Sequence, residues 1–248
     1  MAPLTDYDRT RYARQMMIGG WGEPGQERIK NARVFIAGAG GLGSPAALYL
    51  AAAGVGTIRL GDCDCPELSN LNRQILYTDA DLGRPKAETA AVALRRLNPA
   101  VTVISDAERI TADNVERLIG PVDLILDCLD NFDTRYVLND YSIRCGIPLI
   151  HAAVWGLSGQ VTFLDPPRTP CLRCLFPAPP PRELFPVAGV APGLAGCLQA
   201  AEALKFLAGL GPALNGKWLI FDAEHMIFST LAVERQPDCP ACAGLAWP

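Results

Sequence analysis

The apolar positions of this chain come in short runs separated by polar and glycine-rich breaks, and their spacing predicts most of the elements. "RVFIA" (33–37) is an apolar run behind a single charge, the pattern of a strand covered on both faces. It stops at glycines. "SPAALYLAAAG" then carries alanine and leucine with no polar stripe, which predicts a buried helix, and "TIRLGD" returns to strand character. These three segments make one βαβ unit. Over 85–97 the apolar Ala87, Ala90, Ala91, Leu94 and Leu97 share one helical face, and strands are predicted near 101–105 and 124–127. A helix over 132–145 leads to "PLIHAAV" and "GQVTFLD", whose short separation fits an antiparallel turn. The proline-rich "PAPPPRELFPVAGVAPG" predicts a long crossing loop without regular structure. A helix near 194–208 and the strands "KWLIFD" and "FSTLAVE" close the chain.

Alternating strands and helices predict an α/β fold, Rossmann-like, with a mostly parallel sheet and an antiparallel C-terminal extension. With 248 residues, half of them hydrophobic, the chain can bury a large core. We expect a single domain over 1–248, its nucleotide-binding half at about 1–150 and the crossing loop and last strands at about 151–248. A net charge of -4 gives no global electrostatic reason for nucleic acid or an anionic membrane as partner. The charged start "MAPLTDYDRTRYARQ" lacks a signal-peptide core, and the longest apolar run, 46–58, is too short to span a bilayer. The expectation is a cytoplasmic protein.

The break after "RVFIA" reads GAGGLG, with Gly38, Gly40 and Gly43 in the positions of a phosphate-binding fingerprint and Gly41 free to let backbone approach a nucleotide. Asp62 follows 19 residues after Gly43, where a ribose-binding carboxylate belongs. On that fragment alone an NAD enzyme remains open. "LSNLNRQ", "GRPKAE" and "LDCLDNFDTR" change the balance, because Arg73, Lys86 and Asp130 fall at or near predicted strand ends. Two cations and a carboxylate suit ATP with Mg²⁺: Arg73 and Lys86 on the phosphates, Asp62 on the ribose and Asp130 on the metal. Asp127 and Asp133 compete for that last role, being close to the same strand end.

Nine cysteines are too few for a disulfide scaffold of this length. Cys171 with Cys174 and Cys239 with Cys242 form two C-x-x-C pairs, a match to a closed tetrahedral Zn²⁺ site, with two redox dithiols as the alternative. Cys63, Cys65, Cys128, Cys145 and Cys197 are expected to be small apolar fillers. His151, in an apolar strand, and His225, in a turn, read as structural.

"RYARQ", "GAGGLGSP", "LSNLNRQ", "GRPKAE", "DCLDN", "CLRC" and "CPAC" occur in the order found in the ThiF/MoeB/HesA family, whose members resemble bacterial ancestors of the ubiquitin-activating enzymes. The resemblance covers 11–242. It implies ATP-dependent adenylation of the C-terminal Gly-Gly of a small ubiquitin-like sulfur-carrier protein, with release of pyrophosphate, in molybdopterin, thiamine or related sulfur-transfer biosynthesis. It also implies polar nucleotide contacts from Asn70 and Asn131, the magnesium role for Asp130, and Arg14 reaching the phosphates from a second subunit of a homodimer. One departure stands out. Some members carry a loop cysteine shortly before "AGV", where this chain has Phe185, and no cysteine lies between Cys174 and Cys197. The chain also ends six residues after Cys242, so no rhodanese-like domain is expected and sulfur delivery is assigned to a separate sulfurtransferase. Adenylation of a peptide or of a tRNA nucleoside, and an NAD-linked oxidoreductase, are the competing functions; a non-catalytic scaffold would be expected to lack the charged site residues.

Overall fold

The computed structural model describes residues 2–181 and 185–246; Arg182, Glu183 and Leu184 of the expected crossing loop lie outside that set. Three helices open the chain: α1 (Asp6–Arg11), α2 (Ala13–Met16) and α3 (Gly22–Asn31). Thr5 and Asp8 close a capping box at the start of α1, each accepting a backbone N–H of the other. Then come β1 (Arg33–Ala37), α4 (Gly43–Ala52), β2 (Thr57–Gly61), α5 (Lys86–Leu97), β3 (Thr102–Asp106), α6 (Val115–Ile119) and β4 (Leu124–Asp127). After them follow α7 (Phe132–Cys145), β5 (Leu149–Trp155), β6 (Ser158–Leu164), α8 (Leu172–Leu175), α9 (Val190–Ala208), β7 (Lys217–Asp222) and β8 (Ile227–Ala232).

The strands form one sheet in the order β3-β2-β1-β4-β5-β6-β7-β8. β3 to β5 run parallel, and β6, β7 and β8 are antiparallel additions, as the short β5–β6 connection requires. The period-2 geometry of β1 sends Val34 and Ile36 to one core and Phe35 and Ala37 to the other. The first core packs the sheet against α4, α5 and α9 through Leu50, Leu94 and Ala203. The second packs it against α6 and α7 through Leu118, Leu138 and Tyr141. Both faces are covered, which is why β1 and β4 read as unbroken apolar runs.

Three expectations change. α9 starts at Val190, inside the segment read as irregular, with Pro192 in its first turn, where a missing N–H costs no intrahelical bond. Leu97 closes α5 at the rim and is 38% exposed, so it is not part of the buried face. Of the five cysteines expected as fillers, only Cys128 is buried; Cys197 is half-buried and Cys63, Cys65 and Cys145 are exposed. No helix among the described residues is long and apolar enough to cross a membrane.

Candidate functional site

Parallel strands deliver their carboxyl ends to one edge of the sheet, and the winding reverses between β1 and β4. That reversal opens the crevice where doubly wound sheets take their ligands. Gly38 has φ +91°, and a Cβ there would stand 2.7 Å from the Cys128 carbonyl oxygen. Glycine is what lets the loop after β1 lie against the loop after β4. At Gly43 a Cβ would overlap the Gly38 carbonyl oxygen at 1.9 Å, so the turn into α4 is also closed to side chains. Gly40 faces the Gln74 amide, and Gly41 faces Arg73 and Pro192. The glycine loop, the 73–74 segment and the start of α9 therefore converge at the amino end of α4, whose helix dipole favours an anion.

Asp62 follows directly on β2. Its carboxylate accepts the Ala39 N–H at 2.7 Å and the Asp64 N–H at 2.9 Å. Burial pushes its carboxyl upward, and those two N–H groups and Lys86 oppose the shift. Lys86 opens α5 behind Pro85 and is buried; its N–H donates to the Asp64 carbonyl at 2.8 Å and its Nζ stands 3.3 Å from Asp64 Oδ2. A cation at a helix amino end runs against the helix dipole, and the Asp64 carboxylate offsets it. Across the same site the Tyr77 hydroxyl lies 2.9 Å from the Ala39 carbonyl oxygen, with burial raising its phenol so that it stays a donor. Arg73 is half-buried and donates through Nη1 to the Ser69 carbonyl and to Asn72 Oδ1, while Asn70 Oδ1 accepts the Glu67 N–H.

The loop after β4 sets Asp127 apart from the competing Asp130 and Asp133, which are both exposed. Asp127 is fully buried, with Oδ2 2.6 Å from His151 Nδ1 and 3.4 Å from Arg135 Nε. Its Oδ1 accepts the Leu129 N–H at 3.1 Å. Burial alone would raise this carboxyl; Arg135, His151 and that N–H more than offset it and hold it below the ordinary range. Asp127 is thus consumed inside the protein. Asp130 is exposed, touched at 3.5 Å by the Asn131 amide, and Asn131 Oδ1 caps α7 by accepting the Thr134 N–H. Arg135 also donates to the Leu129 and Ala152 carbonyl oxygens, so Leu129, next to Asp130, is held at both its N–H and its carbonyl.

Arg14 is not brought to this crevice by its own chain. The neighbouring Gln15 bonds the Ala53 carbonyl at the carboxyl end of α4, and ten helical residues put the glycine loop about 15 Å from there. Sequence reasoning missed Asp64, Tyr77, Arg135 and the part that Asp127 and His151 play together. No motif spacing announces them; Asp64 alone carried a signal, as the second acid of "GDCDC".

The four paired cysteines gather against Ile143 of α7 and Leu175 of α8, all buried. Their Sγ atoms stand 3.9 Å apart for Cys171–Cys174, 3.6 Å for Cys171–Cys239 and 3.5 Å for Cys174–Cys242. A tetrahedron with metal–sulfur bonds of about 2.3 Å has edges of about 3.8 Å, so the cluster fits Zn²⁺. Burial and the neighbouring thiols push Cys171 upward. A bound cation is what would make four thiolates tolerable there.

The fold and crevice define a doubly wound nucleotide-binding protein with a four-cysteine knuckle. The chain belongs to the ThiF family, whose model matches residues 12–241. It is 45% identical to a sulfur carrier protein adenylyltransferase of Thermus thermophilus over 96% of this chain and 92% of that protein. It is 46% identical to a SAMP-activating enzyme E1 of Haloferax volcanii, over 94% of this chain and 88% of that one. An adenylyltransferase and sulfurtransferase MOCS3 of Sus scrofa is 44% identical over 97% of this chain, which spans 54% of that longer protein. In fold it resembles E. coli MccB solved with ATP, at a TM-score of 0.85 and 24% identity, over 97% of this chain and 77% of that one.

Proposed function

We propose that this protein is an adenylyltransferase that uses ATP to activate the C-terminal carboxylate of a ubiquitin-like sulfur-carrier protein ending in Gly-Gly, releasing pyrophosphate. The observation that supports the reading is the meeting of the glycine loop with the 73–74 segment and with the loop after β4 at one switch point, Lys86 being tied to it through Asp64 and Asp62, in a chain of this family. Attack of one anion on another needs neutralised phosphates and an aligned α-phosphorus. The glycine loop and the amino end of α4 hold the phosphates, with Gly38, Gly40, Gly41 and Gly43 giving the approach. Arg73 and Lys86 take up negative charge as the pyrophosphate leaves, Asp62 orients the ribose, and Asn70 and Asn131 add polar contacts. Asp130 would hold Mg²⁺, which when bound supplies charge neutralisation on the phosphates. Cys171, Cys174, Cys239 and Cys242 hold Zn²⁺ in a closed shell that pins the C-terminal segment and takes no part in the chemistry.

The protein works as a homodimer in which Arg14 of one copy serves the crevice of the other. The exposed apolar Leu68, Ile75 and Val190 beside Arg73 support this arrangement. Phe185 stacks on Trp155 with ring centroids 5.8 Å apart and offers no thiol, so the product is the free acyl adenylate and a separate sulfurtransferase completes the transfer. Two measurements test the reading. ATP–pyrophosphate exchange should rise with one of a panel of purified Gly-Gly carriers, and calorimetry should show binding of ATP with Mg²⁺ and none of NAD; exchange stimulated by no carrier, or NAD binding without ATP, overturns it.

A further inference from the structure

Cys63 and Cys65 flank Asp64 in the segment between β2 and the 68–70 turn, and both are exposed. Asp64 is the residue that ties this segment to the crevice. Its N–H donates to Asp62 Oδ1, its carbonyl accepts the Lys86 N–H, and its carboxylate pairs with Lys86 Nζ. Asp62 in turn accepts the Ala39 N–H of the glycine loop. The Cys63 thiol already turns toward Asp64, with Sγ 3.8 Å from Oδ1. We propose that Cys63 and Cys65 form a thiol modification site, at which oxidation to an intrachain disulfide weakens nucleotide binding. The proposal rests on the nucleotide reading above.

A disulfide sets its Cβ atoms about 3.8 Å apart and its Cα atoms about 5.5–6 Å apart. Across one intervening residue that geometry demands a tight bend centred on Asp64. The bend competes with the three bonds Asp64 makes, so closing the bridge frees Lys86 and unseats Asp62. The oxidant is a peroxide. It converts one thiol to a sulfenic acid with loss of water, and the other thiol displaces a second water to close the S–S bond; two thiols lose two hydrogens and one peroxide becomes two waters. By linkage, bound nucleotide opposes the bridge to the same degree that the bridge opposes nucleotide. Desolvation and the Asp64 and Asp62 carboxylates hold the Cys63 thiol above its ordinary range against the opposing Arg109, so its thiolate is scarce near neutrality and bridging is slow there and quickens only as pH rises.

The test treats the reduced full-length protein with hydrogen peroxide, with and without ATP and Mg²⁺. Peptide mass mapping scores the bridge, an acylating reagent scores the reactivity of Lys86, calorimetry scores ATP affinity, and a chromogenic chelator scores zinc release. The expected result is a bridged 63–65 peptide, a more reactive Lys86, ATP affinity reduced about tenfold and restored by dithiothreitol, zinc retained, and slower bridging with ATP present. Cys63→Ser and Cys65→Ser should keep the ATP affinity of the parent and lose its response to peroxide. A bridge that never forms, a bridge that leaves affinity and Lys86 unchanged, or an equal response in both serine variants overturns the proposal. If the untreated protein binds no ATP, the nucleotide reading fails by itself, and bridging with a raised Lys86 reactivity still decides the modification site.

Discussion

The crevice and the cysteine cluster spend their polar groups in opposite ways. In the cluster four thiols are buried and turned on one another, and nothing is left open toward solvent. At the crevice Asp130 is exposed, and Asp62, Asn70 and Arg73 are half-buried, each keeping part of its surface open. Lys86 is the exception, since it is buried, yet its partner Asp64 faces solvent. A site that must bind and release a charged ligand keeps part of its hydrogen-bonding capacity for that ligand, whereas a site that holds a chain end uses all of it.

The sharpest way to break this contrast is Asp130→Ala. It should lower ATP–pyrophosphate exchange about 10³-fold, close to 4 kcal/mol of transition-state stabilisation, while the thermal midpoint stays where it was. A large drop in midpoint with it would move Asp130 into the structural class. Cys171→Ser should do the opposite. Zinc content should fall from about one per chain toward none and the midpoint should drop, with the exchange activity of the remaining folded protein close to parent. Metal analysis that finds no zinc in protein purified without chelator would remove the cluster from the comparison.

Asp127→Asn probes the buried carboxylate beneath the crevice. Removing one partner of a buried ion pair strands Arg135 and should cost about 3 kcal/mol, or about 6–12 °C in midpoint. The folded state holds Asp127 below its ordinary value of 3.8, so folding favours the ionised form. Its contribution is complete above that value and is lost as pH falls through the lower, folded one. The stability gap between parent and variant should therefore be constant near neutrality and close in acid, as chemical denaturation across pH would record. The smallest effect is expected from Arg14→Ala, a several-fold rise in KM for ATP with the midpoint unchanged. Mixing that variant with Asp130→Ala should restore exchange if Arg14 acts on the partner's crevice, and mixing that restores nothing would place Arg14 outside the site.

Legibility followed the range of the interaction. β1 and β4 were readable because strands covered on both faces read as near-continuous apolar runs. The start of α9 was not, because the proline in "VAPG" looks like a breaker until the helix places Pro192 in its first turn. The contest among Asp127, Asp130 and Asp133 could not be resolved by composition, since three acids near one strand end are equivalent until burial takes Asp127 out of it and leaves Asp130 and Asp133 exposed. Cys63 and Cys65 misled for the same reason: a small sulfur side chain reads as core, and here the chain leaves the sheet before reaching it.

The amino-acid sequence by itself determined the nucleotide loop, the alternation that makes the sheet and the two cysteine pairs. Each of these is local: a glycine either admits the turn or does not, and two residues between cysteines are enough to make a knuckle. Tertiary structure decided that Asp127 is withdrawn from solvent and claimed by His151 and Arg135, and that Cys171 and Cys239, 68 residues apart, come within 3.6 Å. Those outcomes depend on which surfaces the packed layers cover, a property of the whole chain that no single segment carries.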